Sequence, residues 1–304
     1  MIALVRFDGN SVEYPSGEKL SSKERAFIRV PESLILDSKS DDKRISVYAF
    51  FASMRGIYGD MTFTLNEILR WMGRKPSRKK GYGSDALVSV ISYLEELGYV
   101  RVDGVPKNAE QTDACFDTDF LNDKCSEERF GILYVDEIMK VLSYVEEDKK
   151  GRPPNRDAML LILAYLRLNI PRRRNRLHYE EIGAGDDGTN ESDVARRRDR
   201  YPESYNAHFK DIANDIGLSE YIASKYLHLL MDMKIIYFEC MPRFKFNGEW
   251  RTDCTLFCNW YKRDGDVLLA SGRPYYELEI SAKKRLIAQY RAENNSKENM
   301  SAAQ

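Results

Sequence analysis

The chain has 304 residues, 43% hydrophobic and 12% aromatic, enough to bury real cores in about two domains. Its 47 basic side chains are balanced by 48 acidic ones, a net charge of −1, so nucleic-acid binding has to rest on local clusters and not on overall charge. No apolar run approaches the roughly 20 residues of a membrane span, and MIALVRFDGNSVEYP turns polar too soon for a signal peptide, so a cytoplasmic protein is expected.

Residues 1–39 read as an N-terminal arm with strand fragments, in which AFIRVPESLIL (26–36) is an extended apolar run broken at Pro31. A first domain is expected over 40–148. SDDKRISVYAFFASMRG places Ile45, Tyr48, Ala49 and Ala52 on one helical stripe and stops at Gly56, and DMTF is a short strand. TLNEILRWMG opens with Thr64 and Glu67 in capping-box register and closes at Gly73. After a basic turn, a helix over 84–97 carries Leu87, Val90, Ile91, Leu94 and Leu97 at helical spacing; Gly98 stops it and YVRVDG reads as a strand. The polar, acidic stretch 105–129 is expected to be an enlarged wing or loop, and FGILYVDEIMKVLSYVEED a strand followed by a helix.

KKGRPP (149–154) is the linker candidate. A second domain is expected over 155–262, with an insertion at 172–206. NRDAMLLILAYLRLN is apolar nearly all round and so a buried helix, and 206–240 contains a helix, a turn at Gly217, a helix and a strand. PRFKFNGEWRTDCTLFCNWYK is a hairpin with Asn247-Gly248 at its tip. Sliding one half on the other by 136 positions superposes Ile91 on Leu227, Leu94 on Leu230, Leu97 on Met233 and Val100 on Ile236, the pattern of a duplicated fold. Residues 263–304 form a basic C-terminal helix and a disordered tail. The fold class expected is α+β, mainly helical, with two tandem winged helix-turn-helix domains.

Enzyme readings find little footing. Gly183, Gly185 and Gly188 satisfy GxGxxG, but no apolar strand leads into them and Asp186 and Asp187 would repel a phosphate. Gly81 is not followed by Lys-Ser/Thr, and His178, His208 and His228 share no ligand spacing. Five cysteines (Cys115, Cys125, Cys240, Cys254, Cys258) fit reduced thiols; Cys240, Cys254 and Cys258 lack a fourth ligand for zinc and read as small hydrophobes of the hairpin. No catalytic residue, cofactor or metal is expected.

Basic clusters carry the functional reading. Arg70, Arg74, Lys75, Arg78, Lys79 and Lys80 fall within eleven residues that hold no acid, beside the N-terminal end of the second helix of a helix-turn-helix. That end attracts phosphates through its free N–H groups and dipole, so Arg74, Lys75, Arg78, Lys79 and Lys80, with Tyr82 and Ser84 at the junction, are expected to clamp DNA backbone. Asp85 and Ser89 lie on the exposed face behind them, where a carboxylate accepts from cytosine N4. In the second half Tyr221, Ser224, Lys225 and His228 form the outer helix face, and the hairpin adds Arg243, Lys245 and Arg251 as minor-groove or phosphate contacts. The segment 172–203 holds eight arginines against eight acids, either paired internally or an arm that exchanges its own carboxylates for phosphates.

Two such halves in one chain resemble the replication initiators of plasmids and mobile elements, whose tandem winged helices each bind half of an origin repeat. FIRVPESLILDSKSDDKRISVYAFFASMRGIYGDMTFTLNEILRWMG looks like the leading winged helix of replication-initiator-like proteins of Gram-positive plasmids, phages and integrative elements. The resemblance implies non-catalytic recognition of double-stranded DNA and recruitment of host replication proteins. Two alternatives use the same fold: a transcriptional regulator that is a homodimer on a palindrome, and an interaction module of a replisome that touches no DNA.

Overall fold

The computed structural model describes residues 6–8, 11–13, 19–20, 26–56, 58–76, 83–145, 153–171, 202–241, 244–246, 249–251, 255–260 and 275–301. The chain is mixed α/β, about 54% helical with small antiparallel sheets. It divides into two compact units. One joins residues 1–169 with 209–230; the other joins 170–208 with 231–304. This division differs from the boundary expected at 149–154, because the helix that follows that boundary is packed inside the first unit.

In the first unit, strands β1 (Arg6–Asp8), β2 (Ser11–Glu13) and β3 (Lys19–Leu20) form a small antiparallel sheet. Strand β4 (Phe27–Pro31) leads into helix α1 (Glu32–Asp37), so the apolar run 26–36 is extended only as far as Pro31. Beyond it Leu34 and Ile35 are buried from a helix, not a strand, and proline at the cap presets the entry.

Helix α2 (Lys43–Met54) is buried from Ile45 to Ala52 on all sides, more than the single stripe expected. It sits among α1, β4 and three later helices. Tyr48, wholly buried, meets Tyr99 and Phe116 edge-on at 5.3 and 5.6 Å and donates to Arg29 O at 2.6 Å. Burial drives its hydroxyl pKa well above the usual tyrosine value.

There follow β5 (Asp60–Phe63), α3 (Leu65–Trp71), α4 (Ser84–Glu96), β6 (Val100–Val102) and β7 (Thr112–Phe116). The three strands make an antiparallel sheet in the order β5-β7-β6, with the last strand in the middle. The stretch expected as wing or loop is therefore largely ordered: β7 is followed by α5 (Thr118–Glu127), started by the Asp117 side chain accepting from Phe120 N–H at 2.8 Å. Its one buried side chain, Leu121, explains why an apolar pattern gave no warning of this helix.

Strand β8 (Phe130–Tyr134) returns antiparallel to β4, pairing Ile28 with Leu133 and Val30 with Gly131, and runs into α6 (Val135–Leu142). Helix α7 (Arg156–Asn169), buried at every position from Asp157 to Leu168, packs on β8, α2 and α6. Its backbone passes so near β8 that a Cβ on Gly131 would lie 2.9 Å from Ala164 O. Arg167 Nη2 donates to both carboxylate oxygens of Glu137 of α6, at 3.0 and 2.9 Å, which keeps both buried charges paired. Helices α8 (Phe209–Asp215) and α9 (Glu220–Asp232) complete the unit: Lys39 Nζ donates to Asn214 O at 2.8 Å, and Tyr165 Oη donates to Asp215 Oδ2.

The second unit holds β9 (Ser204–Ala207), β10 (Ile236–Cys240), the hairpin β11 (Phe244–Phe246) with β12 (Glu249–Arg251), β13 (Thr255–Asn259) and α10 (Tyr275–Ser301). Its main sheet runs β10-β13-β9, again antiparallel and again with the last strand in the middle. Helix α10 continues to Ser301, past the point where a disordered tail was expected. Its start closes one face of the sheet, where Ile280 packs with Met241, Leu256 and Cys258. Pairing puts Cys240 opposite Thr255 and Cys258 opposite Tyr237, so these two thiols leave opposite faces of the sheet and cannot share a metal. No described helix is long and apolar enough to cross a membrane.

Candidate nucleic-acid interface

The first candidate surface is built on α3 and α4. A reciprocal capping box starts α3: Glu67 N–H donates to Thr64 Oγ1 at 3.1 Å and Thr64 N–H to Glu67 Oε2 at 2.7 Å. Gly73, at φ 68°, ends it; Gly73 N–H returns to Arg70 O at 2.9 Å and Arg74 N–H to Leu69 O at 2.7 Å. Only glycine fits there, because a Cβ would also overlap Leu142 O and Arg156. The chain leaves this turn as the basic run. Arg78, Lys79, Lys80 and Tyr82 lie outside the described residues; Lys75 is exposed.

Arg74 departs from expectation. Its half-buried guanidinium turns inward and pairs with Asp157 of α7, whose side chain is only 1% exposed and also accepts from Ser46 Oγ at 2.6 Å. A charge held in this way serves the fold before it can serve a phosphate.

Helix α4 buries Leu87, Val90, Ile91 and Leu94. Asp85 and Ser89 share its outer face with Ser92 and Glu96, and Ser84 is half-buried at its start; Ser89 Oγ donates to Asp85 O at 3.2 Å. The helix is pinned by Tyr93, whose ring lies 3.6 Å beneath the Arg44 guanidinium and whose hydroxyl donates to Asp37 Oδ2 at 3.1 Å. Partial burial, then that bond, raises the Tyr93 pKa. From the end of α4 the chain is acidic: residues 95–128 hold ten carboxylates against three bases, a net of −7, and Glu96, Asp103, Asp113, Asp119, Asp123 and Glu127 are all exposed.

The second surface is the α8–α9 pair. Gly217, at φ 71°, ends α8 with the same bond pattern as Gly73: Gly217 N–H to Asn214 O at 3.3 Å and Leu218 N–H to Ala213 O at 2.8 Å. Ser219 then opens α9, its Oγ accepting from Ile222 N–H at 3.4 Å. Ala213 of α8 and Ala223 of α9 are both buried. Tyr221, 76% exposed, and exposed His228 stand on one face with half-buried Ser224 and Lys225. His228 Nδ1 donates to Ser224 O at 2.8 Å, and its ring meets Phe209 edge-on at 6.1 Å, which orients the imidazole along the helix.

In the second unit, Lys245 and Arg251 are carried on the β11–β12 hairpin, in register with Trp250 and Phe244, while Arg243 and residues 172–201 lie outside the described residues. Ser84, Asp85 and Ser89 thus share α4, and Tyr221, Ser224, Lys225 and His228 share α9.

Sequence reasoning missed exposed Lys210 on α8 and the cluster Asn155, Arg156, Asp157. The signal for the latter was present: an Asn ahead of an apolar run, with an acid two residues later, is a helix N-terminus.

In comparisons with known proteins, no family model, no curated protein and no solved structure matches this chain.

Proposed function

We propose that the chain is a sequence-specific double-stranded DNA-binding protein that acts without catalysis, carries two winged helix-turn-helix motifs and initiates replication of a mobile genetic element. One observation carries the reading. In each half a strand and a helix pair are followed by two strands that join the first in one sheet, the β11–β12 hairpin standing between those two in the second half, and both sheets set the last strand between the other two. In such a motif the second helix of the pair enters the major groove and the strands form the wing. Helix α9 suits that role: a tight capped turn precedes it, and Tyr221, Ser224, Lys225 and His228 offer base-edge and phosphate contacts from one face. Arg78, Lys79 and Lys80 add backbone contacts, and Lys245 and Arg251 do so from the wing. Recruitment of host replication proteins belongs to the same proposal.

The acidic stretch from the end of α4 favours a second reading for the first half alone. Carboxylates at Glu96, Asp103 and Asp113 repel phosphates, so this motif would serve protein contact, as in a regulator that reads DNA with α9 only.

Selection of random duplexes by the full chain tests the proposal. Enrichment of one motif is expected. Replacing Tyr221, Lys225 and His228 together with Ala is expected to lower affinity for that motif by about tenfold to a hundredfold, at about 1–3 kcal/mol per lost base contact with partial compensation. Absence of any enriched motif contradicts it.

A further inference from the structure

We propose that Asn155, Arg156 and Asp157 form a coupling segment that sets the base of the basic turn and helix α9 as one element, so that loosening either loosens the other. The proposal deepens the DNA-binding reading and rests on it only for its consequence, which is that the two helix pairs meet a duplex together.

Three consecutive residues reach three different elements. Asp157 holds Arg74 and Ser46, tying the residue after the α3 turn to α2. Arg156 Nη1 donates to Gly73 O at 2.8 Å, so the same turn is gripped by backbone as well as by side chain. Asn155 N–H donates to Tyr226 Oη on α9 at 2.9 Å, while Asn155 Nδ2 donates to Asp42 Oδ2 at 2.6 Å. Asn155 is also the cap of α7: its Oδ1 accepts from Ala158 N–H at 3.4 Å and its carbonyl from Met159 N–H at 3.1 Å.

The first turn of α7 therefore has one closed state in which all these bonds coexist, because they originate from a rigid helical start. Opening that turn releases Gly73 and Arg74 at one end and Tyr226 at the other. An element with two states biased from two sides transmits an effect in both directions, and linkage requires the coupling to be equal each way. Tyr226 is 5% exposed and Asp157 1%, so at these two groups water cannot replace a lost partner without that opening, although Asn155 and Gly73 themselves are exposed.

Amide hydrogen exchange on the full-length chain tests the coupling without DNA. In Asp157→Asn, which keeps the volume but loses the charge partner of Arg74, exchange is expected to quicken about tenfold at Gly73 and Arg74 and also across 222–227 of α9. In Tyr226→Phe, which leaves the α3 turn untouched, exchange at Gly73 and Arg74 is expected to quicken as well, and by a similar factor. Quickening confined to the substituted side in both variants overturns the proposal. A 30-bp duplex of random sequence, titrated against the same proteins, separates the two claims. If wild type binds it and only the exchange result fails, the coupling is wrong and DNA binding stands. If wild type fails to bind while exchange is coupled, the coupling stands and the DNA reading is wrong.

Discussion

Lys234 is the residue whose backbone is most at odds with its side chain. Its φ is 55°, and among the described residues it is the one non-glycine in that region. The same turn occurs once more in the chain, with glycine in its place. Moved by 136 positions, Lys234 falls on Gly98, which ends α4 at φ 86° with Gly98 N–H bonded to Glu95 O at 2.9 Å; Lys234 N–H bonds to Met231 O at 2.8 Å in the same way. The second half keeps the turn but not the glycine. A left-handed L-residue costs about 1–2 kcal/mol, against about 0.5–1 kcal/mol for the extra freedom of glycine in the unfolded chain. Lys234→Gly is therefore expected to raise stability by about 0.5–1 kcal/mol, read as a shift in urea midpoint. A lowered midpoint would mean that the exposed lysine side chain contributes more than its backbone costs.

At the scale of elements, the helices were the most legible part. Thr64 and Glu67 announced α3, and the apolar spacing of Leu87, Val90, Ile91 and Leu94 announced α4. The 136-residue shift carries α4, from 84 to 96, end to end onto α9, from 220 to 232. What stayed hidden has a physical reason in each case. Helix α5 buries only Leu121, so no periodicity marked it. The inward turn of Arg74 depends on Asp157, 83 residues away, which no local pattern encodes.

Asp157 also makes the junction of α7, α2 and the α3 turn sensitive to pH. Burial raises its pKa, and Arg74 and Ser46 only partly offset this; Asp42 adds to the rise and Lys43 opposes it. A folded-state pKa above the unfolded value, about 3.9, means that the folded chain holds the proton more tightly. The contribution of this group to stability is then largest in acid and declines as pH rises from about 4 through the raised value. Stability of wild type minus that of Asp157→Asn, measured by urea unfolding from about pH 4 to 7, is expected to fall with rising pH. A rising difference would mean that the pairing with Arg74 outweighs burial.

For the whole molecule, the halves read from the sequence and the units found in the structure divide the chain differently. The two domains expected from the sequence cover residues 40–148 and 155–262, whereas the packed unit takes α7, α8 and most of α9 together with the first half. Helix α7 explains the difference. Its apolar circumference marked it as buried, but a pattern of burial does not say against what, and β8 and α6 supply the partners. The candidate site was legible as residue types on α9 and in the basic run, and the acidity of 105–129 was legible too, while the ordering of that stretch as β7 and α5 was not.

A net charge of −1 makes DNA binding the claim most exposed to refutation. Titration of a duplex with the full-length chain at several salt concentrations tests it most directly. The expected result is a linear fall of log affinity with log salt, and a slope smaller by about two to three units when Arg78, Lys79 and Lys80 are neutralised together. Affinity too weak to measure at low salt, or a slope near zero, would contradict the account.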